Sequence, residues 1–175
     1  MTIKQKELFY KIVFFAGMIA IIGGIIIYRQ TIIDVKILLG IILAVGLLTT
    51  FLALDDFQKL FGYNRKSTLY FWTFIQSTVS WGFLACSIFM FLNYYLASKN
   101  FEKETFEIVE RSSLPGRKHH RYERKPTFKI IYKDNLKELV FTHKYYDKMD
   151  SYQNIELLVK EGFFGFDILI DQRVK

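Results

Sequence analysis

Long apolar runs fill the first hundred residues of this chain, and short alternating ones fill the remainder. The last long run, Leu69 to Ala97, holds 29 residues without an Asp, Glu, Lys, Arg or His. That exceeds the roughly 20 apolar residues with which a helix crosses a bilayer. Two further runs precede it, from Ile12 to Tyr28 and from Ile37 to Leu54. The pattern predicts three transmembrane helices, over about residues 10–28, 34–54 and 71–97, forming an anchor over residues 1–98. Rings suited to headgroup level mark the ends of the third, Tyr70 and Trp72 at one end and Tyr94 and Tyr95 at the other.

The first run follows Lys4, Lys6 and Lys11 and resembles a secretory signal in outline, but no small-x-small cleavage site follows and a second span comes at once. It is therefore expected to remain as a helix. Small residues recur on each of the first two spans, Ala16, Ala20 and Gly24 on one and Gly40 and Ala44 on the other, which is the spacing of a close packing seam. The simplest bundle sets these two helices against each other and lays the third across them. The third carries a polar stripe of Thr73, Gln76, Ser77, Ser80 and Ser87 at helical spacing. No ionisable group joins the stripe, so helix-to-helix hydrogen bonds of about 0.6 kcal/mol each are expected of it rather than an ion path. Between the second and third spans, Asp55 to Ser67 is read as a loop in which Phe57, Leu60 and Phe61 could rest in the interface as one amphipathic turn or two.

From Phe101 onward the period changes to two, the signal of strands. The fold class expected is an α + β membrane protein: three transmembrane helices, then a small antiparallel β domain over residues 99–175, a curled sheet or partial barrel of four or five strands. Thr127–Lys133 and Leu136–His143 flank Asp134-Asn135, residues that suit a two-residue hairpin turn. Setting 133 opposite 136 pairs Phe128 with Phe141 and Ile130 with Leu139. A second hairpin is expected over 154–171, with the turn Gly162-Phe163-Phe164-Gly165 and Lys160 opposite Asp167. Thr105 to Arg111 is a less regular strand, and Lys144 to Gln153 a polar, tyrosine-rich connector with room for a short helix.

Charge narrows the function classes. Residues 1–98 carry eight basic and four acidic side chains and the rest sixteen and thirteen, so the net +7 divides as +4 and +3. Neither half is concentrated enough for a dedicated nucleic-acid binder, and no nucleic-acid partner is expected. For orientation, Lys4, Lys6, Lys11, Lys59, Arg65 and Lys66 stand against Arg29, Lys36, Lys99, Lys103 and Arg111, six to five. This leans towards an inside amino terminus and a periplasmic or extracellular carboxy-terminal domain. The abundance of Lys, Ile, Phe and Tyr suits an AT-rich bacterial genome, and the expected location is a bacterial inner membrane.

Candidate chemistry is sparse. Cys86 is the single cysteine, which excludes an intramolecular disulfide and a cysteine metal cluster. His119, His120 and His143, with Asp147 or Asp150, lack the spacing of a metal site or of an acid/base pair beside a nucleophile. No cofactor, metal or catalytic residue is expected. The run from Arg117 to Lys125, with Arg117, Lys118, Arg121, Arg124 and Lys125, is a candidate for anionic lipid headgroups if it lies on the cytoplasmic side, and otherwise a solvated connection. Phe163, Phe164, Tyr145, Tyr146 and Tyr152 are candidates for a protein-binding face, because aromatic side chains dominate interface energetics. The function expected is a non-enzymatic membrane protein whose β domain binds a protein, as an accessory subunit or immunity-type neutraliser does. The competing class is a membrane effector whose β domain senses a ligand while its helices oligomerise.

Overall fold

The computed structural model describes Thr2–Gly116, Lys118, Tyr122–Lys133 and Asn135–Lys175, with the backbone alone at Asn135. Three long helices come first, α1 (Ile3–Gln30), α2 (Val35–Phe61) and a third of 30 residues, Lys66–Tyr95. At 1.5 Å per residue each reaches roughly 40–45 Å, about the bilayer's thickness with its headgroups. All three are long and apolar enough to cross a membrane. Their ends are set locally. Thr2 and Gln5 form a capping box at the start of α1, Asp34 accepts from the Lys36 amide at 2.9 Å at the start of α2, and Gly62 closes α2 at φ 58.

The third helix is α3 (Lys66–Ser77) and α4 (Phe83–Tyr95), joined without a break by a π turn at Thr78–Gly82. The extra residue in that turn rotates the inward face. Accordingly α3 lies against α2 and α4 chiefly against α1, while the turn touches both. This corrects the expected bundle: α1 and α2 meet little of each other, and the third helix stands between them. One direct tie between them is polar, where Asp56 receives Lys6 Nζ at 2.5 Å and the Tyr10 hydroxyl at 3.0 Å.

The stretch after the second span is also corrected. α2 runs on to Phe61 instead of yielding to a loop, and Phe57 is 3% exposed, packed with Ala53, Leu69 and Tyr10. That burial carries the helix past Asp55 and Asp56. The outward faces of the helices are apolar, with Leu52 83% and Ile19 71% exposed.

Among the described residues six strands follow, all paired antiparallel: β1 (Glu102–Glu107), β2 (Glu110–Leu114), β3 (Lys125–Tyr132), β4 (Asn135–Val140), β5 (Asn154–Lys160) and β6 (Ile168–Val174). They form two sheets of three, ordered β1-β5-β6 and β2-β3-β4. The single irregular strand expected over 105–111 is in fact two. Ile108 N still bonds to Gln153 O in the first sheet, and Val109 N to Lys129 O in the second, so the chain changes sheets there with no intervening turn. Phe128, Ile130, Tyr132, Leu139, Phe141, Ile155, Leu157, Val159 and Ile168 are buried in this part of the chain. The connector holds two short 3-10 turns, His143–Tyr145 and Met149–Ser151.

Both hairpin registers differ from expectation. In β3–β4 the last pair is Tyr132 with Asn135, and Phe128 faces Leu139 rather than Phe141. The slip is two residues, which leaves every side chain on its own face, so alternation alone could not detect it. The expected turn residue Asp134 lies outside the described residues, and Lys133 beside it has φ 45. In β5–β6 Lys160 faces Ile168, and an irregularity next to Leu158 and Val159 shifts the rest. Asp167 is drawn away from Lys160 because it accepts from the Tyr132 hydroxyl at 2.8 Å and from Lys133 at 2.5 Å.

The chain divides into two compact units: residues 1–97 with Gly162–Phe166, and 98–161 with 167–175. The turn of the second hairpin thus belongs to the helical unit, although both of its strands belong to the other.

Candidate functional site

Within the helical unit the polar stripe is buried, with Thr73 0%, Ser77 3%, Ser80 1% and Ser87 1% exposed. Glycines of the neighbouring helices fill the space against it. A Cβ on Gly17 would stand 2.3 Å from the Val79 carbonyl oxygen, one on Gly46 2.5 Å from Thr78 Oγ1, and one on Gly24 3.3 Å from Ser87 Oγ. Gly82 of the π turn meets the Ile42 carbonyl in the same way at 2.6 Å. The hydroxyls of Thr73, Thr78, Ser80 and Ser87 have no hydrogen-bond partner among the described residues. These groups sit in close helix contacts, and the stripe reads as a packing seam. Gln76 reaches the Tyr10 carbonyl at 3.5 Å.

Of the small residues singled out in the sequence, Gly24 is buried in this seam and Ala16 and Ala20 are half-buried. Gly40 and Ala44 are exposed, and nothing lies within 4 Å of where a Cβ on Gly40 would be. The packing glycine of α2 is Gly46. Both pairs have helical spacing, and the face is decided by the third helix, which the sequence of α2 does not encode.

The helical unit's most specific arrangement surrounds Asn93, 0% exposed near the end of α4. Its Nδ2 donates to Phe166 O at 2.9 Å, its Oδ1 accepts from Phe164 N at 3.0 Å, and its backbone oxygen accepts from Phe163 N at 3.1 Å. The last of these satisfies a carbonyl that the ending helix leaves without a partner. A side chain on Gly162 would collide with Asn93 and with the Phe166 carbonyl, and Gly165 turns the chain at φ 80. The Phe164 ring stacks on Phe89 at 4.7 Å and 8°, with Phe166 edge-on to Phe89 at 5.8 Å. Phe163 and Phe164 remain 57% and 42% exposed. The sequence gives little sign of this role: Asn93 is the one Asn in its span, but its partners lie some 70 residues on, and no spacing joins them.

In the β unit the expected aromatic set divides further. Tyr145 and Tyr152 are half-buried lids on the core, edge-on to each other at 6.0 Å and to Phe141 and Phe128 respectively. Tyr146 faces outward in part. The Arg124 guanidinium lies over its ring at 5.6 Å, His143 stacks on it at 6.2 Å and 22°, and His143 Nδ1 is 2.8 Å from the Arg124 carbonyl oxygen. Lys144 Nζ stands over the Tyr145 ring at 4.7 Å. Lys125, next in the sequence to Arg124, is exposed, and the contacts of Arg124 join the described end of the basic run to the tyrosine connector. Lys118 is exposed; Arg117, His119, His120 and Arg121 lie outside the described residues.

Other charges are structural in placement. Glu156, 7% exposed, lies between Lys103 at 2.7 Å and Lys175, and hydrogen bonds from those two lysines hold its carboxyl below the usual range. Burial, reinforced by Asp167, pushes the Tyr132 hydroxyl well above the ordinary tyrosine value, and the hydrogen bond to Asp167 raises Lys133. Burial lowers Lys137. Among the described residues no group of three His, Cys, Asp or Glu side chains is placed to hold a metal ion. Comparison with protein-family models, curated proteins and solved structures finds no match to this chain.

Proposed function

We propose that this chain is a non-enzymatic integral membrane protein whose β unit binds a protein partner. The observation that carries the reading is the Arg124–Tyr146–His143 stack, with exposed Lys125 and Lys144 next in the sequence to Arg124 and His143. Arg and Tyr are the residue types that concentrate binding energy at interfaces, and a cationic, ring-lined corner suits an acidic segment of the partner. An accessory subunit or an immunity-type neutraliser fits this reading. The membrane is a bacterial inner membrane, with the β unit on its periplasmic or extracellular side. Arg124 of the same corner and the adjacent Lys125 also belong to the headgroup candidate, and a cytoplasmic β unit would turn them to anionic lipid instead.

A photo-reactive benzoylphenylalanine at Tyr146 in the full chain, irradiated in native membranes, tests it. One discrete protein adduct, lost on Arg124→Glu, supports the reading; adducts with lipid alone, or none, overturn it. The effector alternative draws on a different feature, the open Gly40 and Ala44 face of α2, where a second helix could approach closely. It requires depolarisation of cells on overproduction, abolished by Gly40→Leu.

A further inference from the structure

We infer that the Gly162–Phe166 loop is a lipid-inserted wedge, with the Phe163 and Phe164 rings solvated by the acyl-chain and headgroup boundary beside the end of α4. The inference rests on the membrane reading above and adds a bilayer contact outside the three helices. Irregular backbone survives in lipid only where its polar groups find partners within the protein. This loop meets that condition at five of its ten backbone amides and carbonyls, and the boundary with the headgroups leaves water within reach of the others. The amides of Phe163, Phe164 and Gly165 and the carbonyls of Gly162 and Phe166 are all bonded, to Asn93 or within the loop.

Composition and depth agree. The segment Gly-Phe-Phe-Gly-Phe offers no polar side chain, yet two of its three rings stay exposed. Phe164 stacks on Phe89, six residues before the helix ends at Tyr95, which places that ring roughly 9 Å along the axis from the helix end. It thus lies on the hydrocarbon side of Tyr94 and Tyr95, the pair suited to the interface. The α4 residues Ile88 and Leu92, exposed at 55% and 39%, continue the apolar surface.

Nitroxide labels provide the test. On a Cys86→Ser background, single cysteines replace Phe163 and, separately, Phe164 in the full chain reconstituted into phosphatidylcholine/phosphatidylglycerol vesicles. Ile19 and Leu48 serve as outward-facing references on α1 and α2, and Lys99 as the aqueous one. The expected result is an oxygen-to-nickel-chelate accessibility ratio at 163 and 164 matching Ile19 and Leu48 and several-fold above Lys99. Water-like accessibility at 163 and 164 with lipid-like references overturns the wedge and leaves the membrane reading intact. Immobilised labels shielded from both reagents also overturn it, in favour of a protein contact. Water-like values at Ile19 and Leu48 overturn both. The unmodified chain gives a second measurement, carbene labelling from the lipid phase, in which modification of 162–166 is expected and its absence, with α1 and α2 labelled, overturns the proposal.

Discussion

Asp167 shows what a single buried carboxylate does in this chain. Two donors, the Tyr132 hydroxyl and Lys133, converge on one side chain that is 7% exposed, tying the end of β3 to the residue just before β6. Asp167→Asn removes the charge from both bonds and is expected to lower the stability of the β unit by about 1–3 kcal/mol, with Tyr132→Phe milder; thermal unfolding followed by circular dichroism in detergent measures both. Glu156 supplies the pH dependence. Its folded carboxyl titrates below the ordinary value of 4.5, so its stabilisation is present above that value and is lost as pH falls through the lowered one. The wild-type unfolding midpoint is expected to fall as the pH drops below the ordinary carboxylate value of 4.5, and Glu156→Gln to flatten that slope. At this scale the sequence was least informative. The simplest hairpin opposes Asp167 to Lys160, and only the three-dimensional approach of Tyr132 redirects it.

Elements were more legible, and unevenly so. Helix existence followed from composition, because 18 or more apolar residues in a row have few alternatives. Helix partners did not, because small residues recur on several faces and the π turn at Thr78–Gly82 redirects the third helix halfway along. Substitution separates the faces: Gly46→Val and Gly17→Leu drive atoms into the backbone or side chains of the π turn and are expected to make the purified chain aggregate in detergent, whereas Gly40→Leu leaves its elution unchanged. Size-exclusion chromatography reads the difference. Alternation located most strands in the same way, yet it was blind to a two-residue slip and to the change of sheet at Ile108 and Val109. The aromatic candidates illustrate the same limit. Their residue type was informative, but Phe163 and Phe164 belong to one compact unit and the three tyrosines to the other.

For the molecule as a whole, the membrane reading makes the plainest demand. After an alkaline carbonate wash the chain is expected to stay in the pellet with the bilayer; release into the supernatant would remove the basis for the lipid contacts argued above. The sparse meeting of α1 with α2 carries its own consequence, for biogenesis. A ribosome delivers those two segments first, and at that stage they have one polar tie and little interlocking surface. Until the third arrives they are two tethered cylinders drifting in the lipid, open to quality-control proteases. A truncation ending at Asn64 is therefore expected to be degraded quickly in cells, and to be rescued when residues 65–175 are supplied as a separate polypeptide.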